Sequence, residues 1–182
     1  MKRPFLSSLF ALCVSAIALT AEAQIDQTAE KAAKAARARE EAAEKFRAGF
    51  TRLRFIEGTW KQANRTAASA SAEPLFKITP YLGGKYLETH GNFGSGDFQM
   101  IFSYYQPGDH YLMSIVDDQS GVLDVYKGEF DASGALVFTN PNFFRISLIP
   151  TPGGNFTWVG ASSRDQGATF KVNATYVLEK AS

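Results

Sequence analysis

The sequence predicts an all-β fold of roughly ten antiparallel strands in up-and-down order, closed into a barrel and preceded by one N-terminal α-helix. Three observations predict it. Residues 24–49 are rich in Ala, Glu, Lys and Arg, hold no Pro and no β-branched run, and so favour helix. From Gly58 onward the apolar residues recur at every second position, which is the period of a half-buried strand. Turn residues interrupt that pattern about every eight to twelve positions, with no helical stretch between.

The first 23 residues read as a cleavable secretory signal peptide. Lys2 and Arg3 supply a positive start, residues 5–19 form an apolar stretch, and Ala21-Glu22-Ala23 offers small residues at a cleavage site. The stretch is shorter than the roughly 20 residues that span a bilayer as a helix. The expectation is a mature chain of 159 residues beginning at Gln24, in the periplasm or secreted from a bacterial cell. Cys13, the sole cysteine, would leave with the leader. It is no lipidation site, because bulky Leu12 precedes it and it sits mid-stretch. The mature chain would then lack disulfide and thiolate chemistry.

Charge narrows the partners. The full chain has 19 basic and 18 acidic residues, and removing Lys2, Arg3 and Glu22 leaves 17 of each. A neutral chain is a poor match for nucleic acid or anionic membrane, which select basic surfaces. Three Asn-x-Thr triplets begin at Asn64, Asn155 and Asn173. They are glycan acceptors only in a eukaryotic secretory route, and the Ala-rich leader reads as bacterial.

The elements follow in order. Asp26 is placed to cap the helix, because its carboxylate can accept first-turn amide hydrogens. Ala on most faces buries little area, so this helix is expected to project or pack loosely. It lacks the Leu or Ile heptads of a coiled coil. Larger apolar residues then appear at Phe46, Phe50, Leu53, Phe55 and Ile56. Gly49 is a candidate break, and a short helical turn over 50–56 is expected to plug one end of the barrel. Strands are predicted over 58–67, 74–79, 85–92, 97–105, 110–117, 122–130, 135–139, 144–149, 156–162 and 169–178. Gly-rich connections such as Gly83-Gly84 and Asp131-Ala132-Ser133-Gly134 provide the positive φ of tight hairpins. Consecutive strands with short links pair as antiparallel neighbours, and ring closure removes exposed edges. Phe98, Met100, Phe102 and Tyr104 share one face, as do Phe170, Val172, Ala174, Tyr176 and Leu178. An outer-membrane barrel would carry a polar lumen and a continuous apolar exterior, which short strands bearing Lys85, Lys127 and Lys171 do not match.

At Gly58-Thr59-Trp60 the sequence shows the Gly-x-Trp of lipocalin and calycin first strands. Together, "RFIEGTW", "YLGGKYLETHG", "YYQPGDHYLMSIVDD", "YKGEFDASGALVF" and "TFKVNATYVLEK" resemble a bacterial calycin-like (lipocalin-like) β-barrel domain family of unknown function, distantly related to nitrobindin. The resemblance covers residues 50–180. It implies a calycin-like barrel domain over 50–182, with Trp60 packed across the closed end. Nitrobindin binds haem through a His on a late strand, and here that strand reads Val172-Asn173-Ala174-Thr175-Tyr176. No cofactor and no metal is predicted.

Candidate chemistry is sparse. The only histidines are His90 and His110, too few for a zinc site without converging carboxylates. Asp117-Asp118 and Asp124 flank a turn, where solvated carboxylates are ordinary. There is no Gly-x-Ser-x-Gly elbow, phosphate loop or dinucleotide fingerprint. Arg145 alternates with Phe143, Ser147 and Ile149, while Phe144, Ile146 and Leu148 form the other face. Either face can point inward. An inward Arg145 would need an anionic partner, protein or ligand. Trp60, His90, Tyr104, Tyr126, Arg145 and Trp158 are the candidate ligand-binding residues. The leading expectation is an exported binder of a small apolar or amphipathic molecule, with no catalytic residues assigned. The alternatives are an enzyme acting on a small hydrophobic substrate inside the barrel, or an interaction protein using the N-terminal helix.

Overall fold

The computed structural model describes residues 6–63, 76–92, 97–118 and 121–181, with the backbone alone for 6–26 and 92. The predicted leader (1–23), the Asn64 triplet and the turns at 94–96 and 119–120 lie wholly or partly outside the described residues. The chain divides into two compact units, Met1–Glu44 and Lys45–Ser182. One helix, α1 (Leu6–Thr51), runs without interruption, so Asp26 does not start it and Gly49 does not break it. Residues 27–41 of this helix are all exposed, as a face of Ala and charged residues dictates. No helix among the described residues is long and apolar enough to cross a membrane.

Gly49 has a packing reason to be glycine. A Cβ there would lie 2.4 Å from the Tyr104 ring, far inside contact distance. The helix therefore lies close against that ring, and Phe46 and Phe50 stack at 5.7 Å beside it. A 3-10 turn, Arg52–Ile56, follows, and its Leu53 and Ile56 are fully buried. This is the predicted plug. Trp60 is also fully buried, its Nε1 donating to Ile56 O at 2.7 Å and its ring meeting Phe156 edge-on at 4.6 Å.

Ten strands make the barrel: β1 (Gly58–Gln62), β2 (Phe76–Tyr81), β3 (Tyr86–Asn92), β4 (Asp97–Tyr105), β5 (His110–Asp117), β6 (Leu123–Phe130), β7 (Leu136–Thr139), β8 (Phe144–Thr151), β9 (Asn155–Ser162) and β10 (Lys171–Lys180). Every sequence neighbour pairs antiparallel, and β10 pairs with β1 to close the ring. The barrel is thus the predicted all-β, ten-stranded, up-and-down type. Alternation puts Phe98, Met100, Phe102 and Tyr104 inward on β4, all at most 9 % exposed. Met113, Phe138, Leu148 and Phe156 point in from their own strands and are fully buried. The interior is apolar and filled, the reverse of a water-filled membrane barrel.

One strand departs from its expected phase. A bulge at Asn173 shifts the β9–β10 register between Val172 and Ala174. An extra residue on one strand reverses which side later residues face. Ala174, Tyr176 and Leu178 therefore point inward, whereas Val172 pairs with Ala161 on the outer face and is 55 % exposed. The single apolar face predicted from Phe170 to Leu178 is two faces.

The β9–β10 connection is organised by one carboxylate. Asp165 accepts from Ser163 Oγ at 2.6 Å, Thr169 N at 2.8 Å and Thr169 Oγ1 at 2.5 Å. These bonds, led by Ser163, hold its carboxyl down at about 2. A carboxyl lowered by folding stabilises fully above the ordinary carboxylate range and loses that contribution as pH falls through the folded value. The Thr169 amide proton should therefore titrate with a midpoint near 2 by NMR and show no such step in Asp165→Ala. A midpoint at the ordinary carboxylate value, 3.8, would show that these bonds do not persist in solution.

Candidate functional site

The register separates the inward side chains by end. At the plugged end, Tyr104 donates to Asp109 and Tyr111 donates to Gly49 O at 3.1 Å. The Arg52 guanidinium stands 4.0 Å over the Phe130 ring, and Lys45 Nζ lies 3.8 Å from Asp109. Burial, then the bond to Asp109, pushes the Tyr104 hydroxyl up to about 12. These groups surround a cavity of about 460 Å³ that also reaches Glu129. Two cations face two carboxylates there, and Glu129 is further tied to Lys127 at 2.9 Å. The internal pairing marks this end as the joint between plug and barrel.

The far end is different. A cavity of about 590 Å³ opens at the rim there, lined by Gly91, Phe98 and Asp117 of the inward phase, by His90, Gln99 and Val116 of the outward phase, and by Asp97 and Asp118. Phe98 pairs with both Gly91 and Asp117, so all three share the inward phase. Met113 pairs with Tyr126 and Ile115 with Asp124. Tyr126 and Asp124 therefore also point inward, with Asp124 one inward step nearer the far end. Tyr126 is only 5 % exposed. Burial, then Asp124 and Asp117, pushes its hydroxyl up to about 12, which places that hydroxyl within the field of both carboxylates. Trp158, 4 % exposed, points in from β9.

The predicted candidates do not form one site. Trp60 belongs to the closed end and Tyr104 to the plug joint, while Tyr126 and Trp158 lie within the barrel. His90 is exposed on the outer face of β3, its Nε2 3.2 Å from Glu88. Arg145 also points outward, because Ile146 and Leu148 hold the inward phase of β8. Its guanidinium stacks 3.5 Å over Phe170, and its Nε is buried without a hydrogen bond. An inward Arg145 neutralising a ligand carboxylate is therefore corrected. Asp124, of the inward phase, therefore does not share a face with Arg145 or His90. No family model, curated protein or solved structure matches the chain. The site therefore has to be read from its own chemistry.

Sequence reasoning left Phe98, Asp97 and Gly91 unassigned and read Asp117 and Asp124 as solvated turn residues. The signal that finds Asp117 is its period-two spacing from Tyr111, Met113 and Ile115. Among the described residues no group of three His, Cys, Asp or Glu is arranged to hold a metal ion. What the far end offers is a cavity at the strand edges where Phe98 and Val116 stand beside Asp97, Asp117, Asp118, Gln99 and His90.

Proposed function

We propose that this protein is an exported binder of a small amphipathic molecule, held at the far end of the barrel instead of deep in its interior. The single observation that carries this reading is the 590 Å³ cavity in which the Phe98 ring and Gly91 meet the side chains of Asp97, Asp117 and Asp118. Small-molecule sites combine apolar lining with a few polar groups in this way. The packed interior supports the placement, because Met100, Phe102, Met113 and Phe138 are at most 1 % exposed and occupy the space a deeper ligand would need. Export rests on the leader-like residues 1–23.

Isothermal titration of the mature chain with 1-octanol and 1-octylamine tests the binding. One molecule per chain is expected, and Gly91→Leu should abolish uptake with the far-ultraviolet circular dichroism spectrum intact. Absence of saturable binding for both compounds would overturn the reading. N-terminal sequencing of the exported product should begin near Gln24, and an uncleaved cytoplasmic product would overturn export.

A further inference from the structure

We infer that the cavity at the plugged end is a second binding site, for a small monocarboxylate on an apolar body whose carboxylate is held by the Arg52 guanidinium. This site lies apart from the far end and does not depend on binding there. Lys45, Ala48 and Gly49 stand at helical spacing on α1, and Arg52 opens the 3-10 turn, so all four reach one side. Tyr104, Asp109, Tyr111, Glu129 and Phe130 face them across about 460 Å³ of open space. Two independent observations point to an anion there. The first is the pairing of charges. Asp109 accepts from Tyr104 and has Lys45 at 3.8 Å, while Glu129 has Lys127 at 2.9 Å. Both carboxyls are held below their ordinary range, Asp109 chiefly by Tyr104 and Glu129 chiefly by Lys127. They are therefore ionised at neutral pH and already occupied. Nearby Arg54 is tied to Glu57 at 2.9 Å. Among the described residues Arg52 has no carboxylate at ion-pair distance. His110 adds to the positive side when protonated.

The second observation is how Arg52 is held. Its guanidinium lies 4.0 Å over the Phe130 ring, a favourable cation–π contact. It also stands beside the Tyr111 hydroxyl, whose acidity it raises against the larger, opposite effect of burial. Tyr111 donates its own proton to Gly49 O, so toward Arg52 its oxygen acts as an acceptor. A ring beneath and an oxygen beside fix the planar group, and its five N–H donors outnumber those contacts. A carboxylate accepts two parallel hydrogen bonds from such a fork. Ala48 and the Phe130 ring, which line the same space, suit an apolar body. A phosphate monoester, close to a dianion, would be repelled more strongly by Asp109 and Glu129. An ammonium would meet Lys45 and Arg52.

The test is an NMR titration of the mature chain near neutral pH, read at the Arg52 Nε–H and Phe130 ring signals. The probes share one ring: benzoate, benzamide and benzylamine. Benzoate should shift both signals to saturation and bind about tenfold or more tighter than benzamide, as a charge-assisted pair would, with benzylamine weakest. Arg52 is exposed, so its replacement should leave the circular dichroism spectrum intact. At the Phe130 signals, Arg52→Gln should weaken benzoate about tenfold and leave benzamide unchanged. Arg52→Lys keeps the charge but loses the fork, and should recover only part of that loss. Gly91→Leu, at the far end, should leave benzoate binding as it is. No saturable shift with benzoate, equal affinity for benzoate and benzamide, or parental benzoate affinity in Arg52→Gln or Arg52→Lys overturns this site while the far-end reading stands. Loss of benzoate binding in Gly91→Leu overturns it as well. Failure of octanol and octylamine to bind overturns the far-end reading alone.

Discussion

Trp60→Ala should lower the free energy of unfolding by about 3–5 kcal/mol, the range for removing a large aromatic from a packed core. Trp60 is fully buried, seals the plugged end against Phe156 at 4.6 Å, and ties β1 to the 3-10 turn through its bond to Ile56 O. Domains of this size are stable by only about 5–15 kcal/mol, so the loss approaches the whole margin. Urea unfolding followed by circular dichroism measures it. Trp60→Phe separates the two contributions. It restores most of the ring volume but leaves the Ile56 carbonyl without its donor, at a cost of about 1–3 kcal/mol. If Trp60→Ala costs under about 1 kcal/mol, the barrel does not depend on this closure.

Gly128→Val should be the most damaging single addition of atoms. Gly128 points inward on β6, opposite both Tyr111 and Phe138. Even a Cβ would lie 2.4 Å from Phe138 Cδ1, and Phe138 is fully buried with its ring 6.0 Å from that of Phe102. Overpacking of this kind costs about 1–3 kcal/mol and sometimes more. Gly128→Ala, with the same steric cause, should be partly rescued by Phe138→Leu, since coupled neighbours are non-additive. Thermal unfolding of the two single variants and the double variant gives the coupling. Additive effects would show that the Phe138 ring moves aside freely.

The strands of the barrel were legible because their information is local. β4 and β5 occur over the residues predicted, 97–105 and 110–117, since strict alternation and a Pro-Gly-Asp turn need no distant partner to be recognised. The plug was legible for a similar reason: large apolar residues at helical spacing directly before a strand must bury somewhere. Phase was harder. On β10 the bulge at Asn173 reverses the alternation, and nothing in Val172-Asn173-Ala174 announces the extra residue. On β8 both faces carry apolar side chains, so the direction of Arg145 followed from pairing with β7 and β9 instead of from its own pattern.

By itself, then, the sequence determined the class of fold, the order of the strands and the extents of β4 and β5, all of which depend on residues near one another in the chain. Tertiary structure decided the closure of β10 onto β1, the close approaches at Gly49 and Gly128, and the meeting of Phe98, Asp117, Asp124 and Tyr126 at one end. Those residues come from three neighbouring strands, β4, β5 and β6, whose register sets them on one face. A period of two says that a side chain faces one of two sides, but the neighbouring strands decide which side is the interior.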